Sequence, residues 1–151
     1  MTSLSARASD QEPAFIEVGK DSAARSIAAR ARAGGAPGLF WLGGFNSDMQ
    51  GTKALALDAW AAEHHRACVR FDYSGHGESG GAFIDGTIGR WLEESVAVFE
   101  QFCTGPQVVT GSSMGGWMAL LLAREIARRP AGRASLAGLV LIAPARISPN
   151  S

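Results

Sequence analysis

Short apolar runs alternate with segments of helical periodicity along most of the chain. The runs that predict strands lie at residues 14–18, 39–42, 67–71, 108–109 and 136–143. Apolar side chains at steps of three and four residues predict helices over residues 53–65, from residue 87 onwards and after residue 114. Residues 26–32 fit either a strand or a helical turn. Strands that alternate with helices predict an α/β fold with a doubly wound, mostly parallel sheet.

Local signals refine these elements. Residues 39–42 are continuously apolar, which is typical of a central strand covered on both faces. Thr52 is predicted to cap the helix over residues 53–65, and Thr87 to open the next helix, whose apolar face runs from Ile88 to Phe99. The third helix is predicted to end where two arginines come before a proline, at residues 128–130.

The composition indicates a globular chain with no net charge that would favour binding to nucleic acid. Its 151 residues are 46% hydrophobic, which suits one domain with a core, and we predict a flexible N-terminus over residues 1–13 followed by a single domain over 14–151. The 14 Lys and Arg residues balance 14 Asp and Glu residues, so no nucleic-acid footprint is expected. Cys68 and Cys103 lie in apolar segments without metal-ligand spacing, which predicts reduced core thiols and no metal site.

Targeting signals are weak in this sequence. No stretch reaches the roughly 20 apolar residues of a membrane span, so none is predicted. Residues 1–12 lack the apolar centre of a secretory signal, and the cytoplasm is the expected location. The same residues contain Ser, Ala and one arginine, as mitochondrial presequences do, but Asp10 and Glu12 interrupt that composition.

Candidate chemistry comes first from residues 111–115, which read Gly-Ser-Ser-Met-Gly between an apolar run and a helical segment. A Gly-x-Ser-x-Gly pattern in that context is typical of a nucleophile elbow, in which a tight strand-to-helix turn exposes the central serine. The pattern therefore predicts Ser113 as a nucleophile. Ser112 is excluded because centring the pattern on it would need glycines at Thr110 and Met114.

An oxyanion hole is the second device that acyl transfer needs, and it requires two backbone N–H groups aimed at the developing charge. Met114 directly follows the serine and is predicted to supply one amide. The other is expected from the glycine-rich loop after residues 39–42, where we favour Phe45 over Gly44.

Two rival interpretations of glycine-rich segments fail on context. Residues 75–80 match Gly-x-Gly-x-x-Gly after a strand, as in dinucleotide-binding proteins, but no helix is predicted to follow them directly. Residues 51–53 carry Thr before Lys, the reverse of a phosphate-binding loop. No cofactor is therefore expected.

The histidines offer no obvious general base for the serine. His64 and His65 stand at the end of a predicted helix, where histidines usually face solvent or the helix dipole. His76 lies in the glycine-rich loop after a strand and is the candidate base within the chain, although we favour a role in loop structure.

Several longer segments carry a family resemblance. They are Gly44-Phe45-Asn46-Ser47-Asp48-Met49, Gly51-Thr52-Lys53-Ala54-Leu55, Arg70-Phe71-Asp72-Tyr73-Ser74-Gly75-His76-Gly77 and Asp85-Gly86-Thr87-Ile88-Gly89-Arg90-Trp91-Leu92. From about residue 38 to residue 143 the chain resembles the α/β-hydrolases related to mitochondrial palmitoyl-protein thioesterase, also called mycophenolic acid acyl-glucuronide esterase.

This resemblance implies an α/β-hydrolase fold and a serine esterase or thioesterase without a metal or organic cofactor. It implies Ser113 as nucleophile, Phe45 and Met114 at the oxyanion hole, and acylated proteins or small acyl esters such as acyl glucuronides as substrates. It also makes a mitochondrial location the alternative to the cytoplasm.

One departure from the pattern concerns the catalytic triad. In this fold the acid and the histidine follow the nucleophile, yet residues 114–151 contain no Asp and no His. We therefore expect residues 14–151 to be the N-terminal part of a C-terminally truncated hydrolase domain, with little activity alone. A non-catalytic acyl-binding module is the alternative. The last apolar strand is expected to form an uncovered edge.

Overall fold

The computed structural model of the chain describes residues 11–142, in which six strands and three α-helices are assigned. Residues 1–10, most of the predicted N-terminal segment, and Ala143, the last residue of the last predicted strand, lie outside the described residues. The elements in chain order are β1 Ala14–Val18, β2 Arg25–Arg32, β3 Gly35–Leu42, α1 Thr52–Glu63, β4 Arg66–Phe71, α2 Ile88–Phe102, β5 Gly105–Ser112, α3 Met114–Arg128 and β6 Ala134–Ile142.

The strands form one mixed, mostly parallel sheet in the order β1-β2-β4-β3-β5-β6. β1 and β2 pair antiparallel, as do β2 and β4, whereas the pairs β3 with β4, β3 with β5 and β5 with β6 are parallel. The α/β architecture predicted from the sequence is confirmed. Leu42 pairs with Gly111, so the carboxyl ends of β3 and β5 lie side by side.

The structure resolves the ambiguous segment and corrects several local predictions. Residues 26–32 belong to a strand, β2, and β3 begins four residues earlier than the apolar run at 39–42. The predicted cap at Thr52 is wrong: Thr52 is already helical, and Gly51 is the N-cap, its carbonyl accepting the N–H of Leu55 at 2.9 Å. The cap at Thr87 is confirmed, because its hydroxyl accepts the N–H of Arg90 at 3.1 Å.

The core lies between the sheet and the helices. Phe40 of β3 is buried and packs against the ring of Phe71 at 5.7 Å and edge-on against Phe99 of α2 at 5.4 Å. Ile88, predicted on the same helical face as Phe99, is instead 44% exposed, because it is the first helical residue of α2. Cys68 and Cys103 are buried free thiols, as the sequence predicts.

Among the described residues, β6 forms one edge of the sheet. Its residues Leu139, Val140 and Leu141 are 37%, 46% and 39% exposed, so an apolar strand lies at this edge. Within residues 11–142, no helix has both the length and the apolar character needed to cross a bilayer.

Candidate active site

Ser113 is the single residue between the end of β5 and the start of α3. Its backbone has φ 59° and ψ −120°, in the left-handed half of conformational space that residues with a Cβ rarely adopt. Its N–H donates to the carbonyl of Ile142 at 3.0 Å, and its carbonyl accepts the N–H of Gly116 at 2.9 Å. Ser113 is exposed whereas Ser112 is buried, so the strained turn brings only one of the two serines to the surface.

The flanking glycines are required by close backbone packing. A Cβ placed on Gly111 would lie less than 3.0 Å from the carbonyl oxygen of Gly115, and one placed on Gly115 would lie less than 3.0 Å from that of Leu42. Side-chain carbons do not approach backbone oxygens so closely. The first turn of α3 therefore packs directly on the ends of β3 and β5, which is the physical reason for glycine at both positions.

A cavity of about 310 Å³ adjoins Ser113. The residues that line it come from the carboxyl ends of β3 and β5, the loop and turn that follow these strands, and the first turn of α1: Trp41, Gly43, Gly44, Phe45, Ser47, Asp48, Gly51, Thr52, Lys53, Ala54, Ser112 and Ser113. Gly44 lies against the serine, since a Cβ on it would be 3.3 Å from the Cβ of Ser113. Phe45 and Ser113, distant in sequence, thus line one cavity.

The electrostatics at this cavity favour a negative charge beside Ser113. Met114 is the first residue of the 15-residue helix α3, and the first four N–H groups of a helix lack partners within it. The positive end of the helix dipole therefore lies at the serine. Lys53 also lines the cavity, with its Nζ 3.3 Å from the Oγ of Ser112.

His76, the sequence-based candidate for a base, is fully engaged elsewhere. Its Nδ1 lies 3.1 Å from the carbonyl oxygen of Ser74, and its Nε2 accepts the N–H of Asn46 at 2.9 Å. A carbonyl only accepts, so Nδ1 carries the proton and Nε2 is the acceptor. Neither ring nitrogen is left to take a proton from Ser113, which supports the structural role that we favour from the sequence.

The remaining titratable candidates do not serve as bases or nucleophiles either. His64 and His65 follow the C-terminal end of α1, about 18 Å along the helix from the cavity at its N-terminus. Burial raises the pKa of Cys68 and of Cys103 to about 12, so both thiols stay protonated at neutral pH. In the part of the chain from residue 11 to residue 142, no cluster of three or more His, Cys, Asp or Glu side chains is arranged to hold a metal.

The glycine-rich loop after β4 closes on itself instead of opening a helix. Gly75 donates its N–H to the carbonyl of Gly80 at 2.9 Å, and the segment that follows is a short 3-10 turn at Phe83–Asp85. A Cβ on Gly75 would collide with the backbone of that turn. These glycines serve close packing within the loop, so the structure supports rejecting the dinucleotide-binding interpretation.

Sequence reasoning missed two residues that contact the loop carrying Phe45. The hydroxyl of Tyr73 donates to the carbonyl of Gly43 at 3.0 Å, and Asp72 accepts the N–H of Met49 at 2.7 Å. The signal that was available is their position directly after β4, because parallel neighbours such as β3 and β4 end at the same edge of the sheet.

Comparison with known proteins agrees with this architecture. The model of the family described as serine aminopeptidase, S33, matches residues 39–150. The chain belongs to this hydrolase family. The predicted resemblance to α/β-hydrolases related to mitochondrial palmitoyl-protein thioesterase is also confirmed, at partial coverage, by the relatives below.

The relatives described here are longer than this S33-family chain. It is 41% identical over 87 residues to the human protein named palmitoyl-protein thioesterase ABHD10, mitochondrial, which covers 58% of this chain and 28% of the relative. A putative hydrolase from Agrobacterium vitis S4 shares 53% identity with a TM-score of 0.86, covering 89% of this chain and 53% of that one. Mouse alpha/beta hydrolase domain-containing protein 10 shares 32% identity with a TM-score of 0.70, at 84% and 48% coverage.

Proposed function

We propose that this chain carries the nucleophile of a serine hydrolase that cleaves carboxylic esters or thioesters. Ser113 attacks the acyl carbonyl, and the amides of Phe45 and Met114 bind the oxygen that becomes negative. The observation that carries the proposal is the exposed Ser113 at φ 59°, on a strand-to-helix turn whose flanking glycines have no room for a side chain.

The site suits the charge that acyl transfer creates. A tetrahedral intermediate places a negative oxygen near the amide that follows the nucleophile, and here that amide opens α3. Each oxyanion donor contributes about 3 to 4 kcal/mol of transition-state stabilisation. The loop after β3 brings Phe45 into the same cavity, which supports its amide as the second donor.

We assign the base and the acid of the triad to residues outside this chain. In α/β-hydrolases both follow the nucleophile, and residues 114–151 contain neither Asp nor His. The chain spans about half the length of the two solved relatives and 28% of the human one. Because loss of a catalytic histidine can lower turnover by about six orders of magnitude, we expect little turnover from this chain alone.

Acylated proteins or small acyl esters, including acyl glucuronides, are the proposed substrates. The human relative is named a palmitoyl-protein thioesterase, and this chain exposes large apolar side chains next to the cavity. Phe45 is 55% exposed, and its ring lies 5.1 Å from that of Phe83, itself 43% exposed. The relatives' names place them in mitochondria, so we propose that location ahead of the cytoplasmic alternative.

A fluorophosphonate probe tests the nucleophile. We expect the chain to gain the mass of one phosphonyl group, slowly because no histidine activates the serine, and Ser113→Ala to remove that labelling. Ser112→Ala is the matched control, because it makes the same change at the neighbouring buried hydroxyl, and it should keep the labelling. Labelling that survives in Ser113→Ala would refute the assignment.

A non-catalytic acyl-binding module is the second candidate function. The observation that favours it is the engagement of both nitrogens of His76, together with the absence of Asp and His after Ser113. This candidate predicts saturable binding of a fluorescent fatty acyl analogue without any phosphonylation. Phosphonylation confined to Ser113 would reject it.

A further inference from the structure

The loop that carries Phe45 forms several hydrogen bonds with one neighbouring segment. This loop, residues 43–51, follows β3, and the segment over residues 72–77 follows β4, the strand that pairs with β3 in parallel. Both segments therefore leave the same edge of the sheet next to each other. Three buried side chains of the second segment contact the backbone of the loop, and we call them the clamp: Asp72, Tyr73 and His76.

Each clamp side chain forms a hydrogen bond with a different peptide group of the loop. The bonds are Tyr73 Oη to the carbonyl of Gly43 at 3.0 Å, the N–H of Asn46 to His76 Nε2 at 2.9 Å, and the N–H of Met49 to Asp72 Oδ1 at 2.7 Å. The first two bonds lie on either side of Phe45 in the sequence. The clamp therefore constrains the backbone before and after the residue that supplies the proposed oxyanion donor.

The His76 contact bears most directly on Phe45. The N–H that it accepts belongs to the planar peptide unit that joins Phe45 to Asn46, so the bond fixes the orientation of that unit. Asn46 has φ 60°, a left-handed conformation that asparagine adopts more readily than most residues with a side chain. Holding this peptide unit limits the rotation of Phe45, and with it the direction of the Phe45 N–H.

The surroundings of His76 keep its ring in one orientation. Nδ1 donates to Ser74, so Nε2 remains an acceptor for the loop. The ring also packs edge-on against Trp91, with centroids 5.4 Å apart, and against Phe45 at 6.2 Å. A ring held by both nitrogens and by aromatic neighbours gives the loop a fixed point of attachment.

We propose that His76 is a positioning residue that holds the Phe45 amide in the oxyanion hole, while Tyr73 and Asp72 hold the two ends of the loop. This inference rests on the proposed function, because it assigns a role toward the same oxyanion. His76 acts through the loop and touches neither the substrate nor the reacting atoms. His76 affects the position of the Phe45 N–H, and displacing a catalytic group by about 1 Å is enough to lower a reaction rate 100-fold.

The rate at which the full chain reacts with a fluorophosphonate measures this positioning, because phosphonylation of Ser113 places a negative oxygen at the same donors. His76→Phe keeps an aromatic ring and removes both nitrogens, and we expect the rate to fall about 10- to 100-fold. His76→Gln supplies a new acceptor and is expected to recover most of the rate. Tyr73→Phe removes only the hydroxyl bound to Gly43 and is expected to slow labelling by a smaller factor.

The matched control is His64→Phe, which makes the same change at a histidine that stacks on Trp60 at the far end of α1. We expect its labelling rate to equal that of the wild type. Amide hydrogen exchange measured by NMR gives a second readout. The N–H of Asn46 should exchange at least about 10-fold faster in His76→Phe and regain protection in His76→Gln, whereas a loss of global stability would speed exchange throughout the core.

The outcomes separate this inference from the proposed function. Equal labelling rates for the wild type and a folded His76→Phe variant would overturn the positioning role alone. Slower labelling with unchanged exchange at Asn46 would overturn it as well, because the effect would not pass through that hydrogen bond. A wild-type chain that is not labelled at Ser113 would overturn the proposed function, and the positioning role with it.

Discussion

Gly115→Ala is expected to lower the free energy of unfolding by at least about 4 kcal/mol, an effect that few single substitutions reach. The new methyl group would lie less than 3.0 Å from the carbonyl oxygens of Leu42 and Gly43, both of which are backbone atoms of the neighbouring strand end. No side-chain rotation relieves such a contact, so α3 must move away from β3. Equilibrium urea unfolding followed by circular dichroism measures the change.

The matched control for this prediction is Gly138→Ala in β6. A Cβ at Gly138 meets nothing within 4 Å, and the position lies in an extended strand. We expect the free energy of unfolding to change by no more than about 0.5 kcal/mol. A Gly115→Ala variant as stable as Gly138→Ala would contradict the close packing of the elbow against β3.

Glu94→Gln is expected to destabilise the fold by about 3 to 5 kcal/mol, because it removes one partner of a buried ion pair. The carboxylate of Glu94 lies 2.7 Å from Nε of Arg25, and the two side chains are 0% and 2% exposed. Its other oxygen accepts the N–H of Ser74 at 2.7 Å. In the variant, the Arg25 charge is balanced only by Glu93, which is partly exposed. The NH₂ group of the new amide also faces either the Nε–H of Arg25 or the N–H of Ser74, so two hydrogen-bond donors point at each other.

The control is the same substitution at an exposed ion pair. Glu100 lies 3.1 Å from Arg129, with side chains 57% and 45% exposed. Exposed pairs contribute little, so Glu100→Gln should change the free energy of unfolding by less than about 1 kcal/mol. Equal effects of Glu94→Gln and Glu100→Gln in urea unfolding would contradict the assignment of Glu94 to a buried pair.

Local patterns were sufficient for the architecture and for the position of the serine. The apolar run at 39–42 predicts a central strand because a parallel strand is covered on both faces, and β3 lies inside the sheet. The spacing of Gly111, Ser113 and Gly115 places the serine on the turn after β5. These features follow from residues close together in the chain, so the sequence alone could predict them.

Features that depend on contacts distant in sequence could not be predicted in the same way. The hydrogen bond from the N–H of Asn46 to Nε2 of His76 joins two loops 30 residues apart, and no local pattern specifies it. For the same reason, the sequence does not show that both ring nitrogens of His76 are hydrogen-bonded, because one of the bonds needs the two loops side by side.

A crystal structure of the fluorophosphonate adduct tests the central claim most directly. The account predicts phosphorus bonded to Oγ of Ser113, with one phosphonyl oxygen about 2.7 to 3.1 Å from the backbone nitrogens of both Phe45 and Met114. An adduct on another residue, or a phosphonyl oxygen beyond hydrogen-bond distance of either amide, would contradict it.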